Sequence, residues 1–172
     1  MIYPTVIDLL RTIDGNLVSK VEPSVADMSA RSAIATIRHI LRHVRVRVER
    51  EGQILTDDIV ELRSLLPTLE KDLRRQNEAE GVALASAIGE SLRRVYRPKG
   101  SYPDLVSLAE EAHALRELLQ AALQLLIRGE SKRAQEPGYL ALRSQVRSYI
   151  TTQVERQSPL VELAFTGFGP RR

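Results

Sequence analysis

Large apolar residues recur along this chain at three- and four-residue intervals, and that spacing restricts its fold more than any other feature. Val6, Leu10, Ile13, Leu17 and Val21 form one such series, and Ile34, Ile37, Leu41, Val44 and Val48 a second. Leu55, Ile59, Leu62, Leu66, Leu69 and Leu73 form a third, which Val82, Leu84, Ile88, Leu92 and Val95 resume after a gap. Leu105, Leu108, Ala112, Leu115, Leu119, Ala122 and Leu126 form the most regular one, and Tyr139, Leu142, Val146, Ile150 and Val154 the last. At 3.6 residues per turn each series falls on one face of a helix, whereas the two-residue alternation of a half-buried strand is hard to find. The expectation is an all-α fold: an antiparallel bundle of five to six helices with a four-helix core.

Turn and cap residues place the boundaries. Pro4 suits the first turn of a helix, and Pro23 ends that helix. A second helix starts near Ser24 and closes at Gly52, and Thr56-Asp57-Asp58 reads as the capped, acidic start of a third. Its rhythm passes straight through Pro67, which argues for a kink more than a stop. The polar stretch from Arg74 to Gly81 predicts a bend or break, and Asn77, Glu78 and Glu80 fit a turn better than a pocket. Residues 98–101 form a loop before a helix over 103–128. Gly129 to Gly138 is the most polar linker, and Pro159 ends a final helix. Residues 1–157 thus form one bundle domain, and 158–172 an extended arm that docks on a surface. That arm carries Phe165 and Phe168, both phenylalanines of the chain.

Composition supports this reading and narrows the chemistry. The 172 residues are 43 % hydrophobic and only 4 % aromatic, a vocabulary of Leu, Ala, Ile and Val suited to helices. Cysteine is absent, which excludes disulfides, thiolate catalysis and Cys-ligated zinc. The residues after Met1 lack a basic start, Asp8 and Arg11 interrupt any signal-type run, and Leu118 to Ile127 is too short and too polar to span a membrane. A cytoplasmic location is the expectation.

Three residue patterns bear on function. His39 and His43 stand four apart, and Glu110 and His113 form an E-x-x-H of the kind used by di-iron bundles, so a transition-metal site is one reading. Projection at about 100° per residue turns all four away from their apolar stripes, and no second E-x-x-H exists, so surface histidines explain them better. Residues 38–50 hold Arg38, Arg42, Arg45, Arg47 and Arg50, a possible phosphate-binding face for nucleic acid. Those arginines spread around the helix among Glu49 and Glu51, without aromatics for base stacking, so a solvated face fits them better and a nucleic-acid partner is not expected. Gly167-Phe168-Gly169-Pro170 has no strand before it or helix after it to make a phosphate loop, and no Gly-x-Ser-x-Gly elbow occurs.

The helix over 103–128 carries a second stripe, Ala114, Leu118, Ala121 and Leu125, and apolar residues on two sides imply contact on two sides. Leu118 and Leu125, with Phe165 and Phe168, are therefore the candidate interface residues. The opening of the chain (Leu9-Leu10, Leu17 and Val21-Glu22-Pro23), followed by Arg31 and a helix ending in Val46-Arg47-Val48-Glu49-Arg50-Glu51, resembles a group of small bacterial helical proteins. Members of that group tend to be encoded beside phosphotransferase-like kinases and acyl-CoA dehydrogenases. The resemblance covers about the first fifty residues and implies no catalytic residues. It implies an accessory protein, and the functional expectation is a homodimeric interaction protein without catalysis, cofactor or metal of its own.

Overall fold

The computed structural model describes residues 3–94 and 103–165, with side chains for all of these but 161–165. The described residues form five α-helices: α1 (Val6–Asn16), α2 (Met28–Gln76), α3 (Ala79–Arg93), α4 (Leu105–Arg133) and α5 (Pro137–Phe165). A π-helical turn, Leu17–Val21, and a 3-10 turn, Glu22–Ser24, lie between α1 and α2. The all-α expectation holds. Among the described residues no helix is long and apolar enough to cross a membrane.

Several boundaries differ from the sequence expectation, each for a local reason. Thr5 opens α1 with a capping box: its hydroxyl accepts from the Asp8 amide, and the Asp8 carboxylate accepts from the Thr5 amide. Asp27 caps the start of α2 by accepting from the Ala30 amide at 2.7 Å. That helix does not close at Gly52, and no helix starts at Thr56; α2 runs through both. A helical glycine costs only about 1 kcal/mol. Against that, Asp58 is fully buried and bonded to other helices, so it is not free to start a new one. Pro67 also lies inside α2, on its exposed side, while Leu65, Leu66 and Leu69 around it are buried. The break expected after Leu73 is present. Asn77 takes a left-handed φ of 54° and its amide donates to Arg74, which ends α2 and lets α3 fold back. Downstream, α4 extends to Arg133, so the polar linker shrinks to three residues. Pro159 does not end α5, which continues helical to Phe165 where an extended arm was expected; Phe168 lies outside the described residues.

The chain divides into two compact units. One, Gln53–Glu155, is a four-helix bundle made of the end of α2, then α3, α4 and most of α5. Side-chain pairings set its directions. Gly81 of α3 lies against Leu73, and Arg63 donates to the Leu92 carbonyl, so α2 and α3 are antiparallel. Arg128 bonds Glu80 near one end of α3, while Glu111 meets the same Arg63 near the other, so α4 reverses again. Tyr139 bonds the Leu126 carbonyl and Tyr149 bonds Asp58, which returns α5 alongside α2. The result is an up-down-up-down bundle. Its core holds every residue of the third apolar series and all but Leu105 of the fourth, with Ala85, Ile88, Tyr139, Leu142 and Val146.

The other unit comprises Met1–Gly52 and the chain from Arg156 onward. In it α1 turns back onto the start of α2, where Arg38 donates to Asp14 at 3.0 Å and to Glu22 at 3.1 Å. Apolar burial is slight. Among the described residues Ile34 and Val46 are its buried hydrophobics, and α1 has no buried residue at all.

Candidate functional site

Polar side chains inside a bundle core are costly to bury, so each one needs a reason. Asp58 is fully buried, yet one turn earlier than Leu62 it holds a core position of α2. The Tyr149 hydroxyl donates to its Oδ1 at 2.7 Å, and the Arg116 guanidinium forms an ion pair at Oδ2, though not at hydrogen-bonding angles. Burial, reinforced by the hydrogen bond to Asp58, raises the Tyr149 pKa well above the ordinary tyrosine value. A phenol in that state is held neutral and is a poor proton acceptor. Glu111, also buried, accepts from Arg63 Nε at 2.8 Å, and the same guanidinium donates to the Leu92 carbonyl. Gln153 points inward as well and donates to Glu61 at 3.4 Å, while its carbonyl oxygen has no partner.

A second cluster closes the opposite end of the same unit. Arg133 donates to both Asp72 oxygens, at 2.8 and 2.9 Å, and to Glu136 at 3.0 Å, with its guanidinium 5.0 Å from the Tyr139 ring centre. Burial opposes the charge on Asp72, but the hydrogen bonds and charges of Arg133 and Arg75 outweigh it, leaving this carboxyl below its usual range. The Arg133 pKa is raised, chiefly by the hydrogen bond from its guanidinium to Asp72. In both clusters the charged groups are occupied with each other. They join α2 to α4 at fixed heights, as buried ion pairs that set register do.

The residues singled out in the sequence do not converge. His39 and His43 lie half-buried on α2 in the unit that contains α1, whereas Glu110 and His113 are exposed on α4 of the bundle. His43 accepts from Arg47 at 3.0 Å, and His113 faces Glu117 at 3.3 Å. Among the described residues no three His, Cys, Asp or Glu side chains group as a metal would require. Of the basic run, Arg38 is held by Asp14 and Glu22, and Arg47 by His43 and Glu51. Leu118 and Leu125 are half-buried and pack against the bundle core, so the second stripe of α4 meets its own chain.

What stays uncovered lies elsewhere. On α2, Ile37, Ile40, Val44 and Val48 are 38–54 % exposed and fall within about 80° of one another around the helix. On α1, Val6, Leu9 and Ile13 are comparably exposed on one side. Val6, Ile13, Ile37, Val44 and Val48 belong to the apolar series that the spacing assigns to core faces, whereas Leu9 and Ile40 lie outside them. A signal against that was present: α1 and the start of α2 hold few leucines, and arginines flank the α2 stripe closely. The fold defines the Gln53–Glu155 unit as an up-down four-helix bundle with ion-paired ends, and the other unit as a helical hairpin with exposed apolar residues on each helix. In comparisons with protein-family models, curated proteins and solved structures, the chain matches none.

Proposed function

We propose that this protein is a helical accessory protein that acts by binding other helices and carries out no catalysis of its own. The observation that carries the reading is the apolar face of the α1–α2 hairpin. Ile37, Ile40, Val44 and Val48 stand on one side of α2, and α1 presents Val6, Leu9 and Ile13. Large apolar residues left exposed along one side of a folded helix favour an interaction role. The bundle unit supports the same role differently. Its internal charges are paired to each other, which suits a rigid scaffold better than a reactive centre.

The test is a dye that brightens on exposed apolar surface. Diluted to nanomolar concentration, the protein is expected to bind it, and Ile40→Glu with Val44→Glu is expected to abolish most of that binding. Val60→Glu, a single such change at an exposed valine of the bundle, is expected to leave it intact. Dye binding that is absent, or unchanged by the hairpin substitutions, overturns the reading.

A further inference from the structure

We infer that the groove between α4 and α5 is a binding site for a small amphiphilic anion, an apolar chain or ring that carries one carboxylate. The site lies wholly within the Gln53–Glu155 unit and does not depend on the reading of the hairpin. Its floor, its walls and its charge each point to that class of ligand.

The groove is a cavity of about 270 Å³ between residues 123–130 of α4 and 139–151 of α5. That volume stands at the small end of ligand sites, which also occur between the helices of bundles. Its floor is formed by Leu126, Tyr139 and Val146, all buried. The one polar group there, the Tyr139 hydroxyl, already donates to the Leu126 carbonyl. A floor without free polar groups holds water poorly and favours apolar matter.

The walls are apolar as well, and they meet solvent. Ile127 lines the cavity from α4 and is 66 % exposed, and Ile150 lines it from α5 and is 44 % exposed. Covering both removes apolar area from water, which is the driving force a ligand can use. The concavity also restricts the occupant, because an apolar body must fit between the two helices rather than lie on one of them.

The charge at the groove is unbalanced. Arg143 is ion-paired with Glu130, which leaves Arg147 as a lining cation without a partner among the described residues. Thr151 lines the cavity one turn further along the same side of α5, and its hydroxyl is likewise unengaged among those residues. Helical Thr12, Thr36 and Ser86 instead bond the carbonyl four residues back. Two free donors one turn apart suit the two oxygens of a carboxylate. A cationic amphiphile would set like charge against Arg147, and a neutral one would leave its guanidinium unused.

Calorimetric titration of the full chain with octanoate, and with octanol as the uncharged control, tests this. The expected result is saturable octanoate binding that Ile40→Glu with Val44→Glu on the hairpin leaves unchanged. Arg147→Gln is expected to weaken octanoate about tenfold or more while leaving the weaker binding of octanol as it was. Ile150→Glu is expected to abolish binding of both, and because the position is exposed, circular dichroism should show the bundle still folded. Octanoate that does not saturate by about 1 mM overturns the site. Binding that Arg147→Gln and Ile150→Glu both leave unchanged, or that the hairpin substitutions abolish, also overturns it, because the ligand then sits elsewhere. Equal affinity for octanol and octanoate overturns the carboxylate assignment.

Discussion

Asp58 shows how one side chain can tie a bundle together. Its carboxylate is wholly buried in α2, where it holds Tyr149 of α5 through one oxygen and faces Arg116 of α4 through the other. Removing a partner leaves a buried oxygen short of a hydrogen bond, which costs about 1–3 kcal/mol. Tyr149→Phe should lower the stability of the bundle by that amount in urea titrations at pH 7. The same variant has a pH signature. Because folding raises the Tyr149 pKa, its contribution is complete below the unfolded tyrosine value of about 10 and is lost as pH climbs above it. The wild-type chain should therefore lose stability between about pH 10 and 12 more steeply than Tyr149→Phe does. Parallel alkaline limbs would show that the hydroxyl is not held as the geometry indicates.

At the scale of single helices, α2 is the element that most departs from local rules. It carries Gly52 and Pro67 within one continuous helix of 49 residues. Proline removes the hydrogen bond to the carbonyl four residues earlier and crowds it, at a cost of about 3 kcal/mol in a helix interior. The helix persists because Leu62, Leu66, Leu69 and Leu73 are each essentially fully buried on its other side. Pro67 itself is exposed, so Pro67→Ala should restore a hydrogen bond without disturbing the core. The expected gain is about 1–3 kcal/mol, seen as a rise in Tm of several degrees. A lower Tm would mean that the proline fits a distortion the bundle needs. On α5 the buried face shifts by one position after Val146: Tyr149 and Gln153 turn inward, and Ile150 and Val154 stay out.

For the molecule as a whole, the unequal burial of its two units predicts unequal opening. Amides of α2 between Leu62 and Leu73, and of α4 between Ala112 and Leu126, lie in the packed core and should exchange only on global unfolding. Amides of α1, which has no buried side chain, should exchange by local fraying when the chain is dilute. Hydrogen exchange with mass spectrometry at two protein concentrations measures both. Protection equal to that of the core at every concentration would contradict the burial pattern.

Helix type, the break after α2 and the core of the bundle were legible in the sequence because hydrophobic periodicity is a local property, readable from neighbours within two turns. Leu55 through Leu73 and Leu108 through Leu126 pointed inward as their spacing said. Buried charges were legible in principle, since Asp58 lies three residues past Leu55 and four before Leu62, and Glu111 lies likewise between Leu108 and Leu115. Each sits in phase with its stripe, though nothing in the stripe says which arginine or tyrosine will meet it. That choice belongs to tertiary structure, which brings residues more than forty positions apart within hydrogen-bonding distance. The same holds for the two ends of the rhythm. The series on α1 and early α2 has the spacing of a core face, but spacing states only that a face is apolar. Whether it is covered depends on how many helices pack around it: three others surround the end of α2, whereas the hairpin leaves its own stripe partly in solvent.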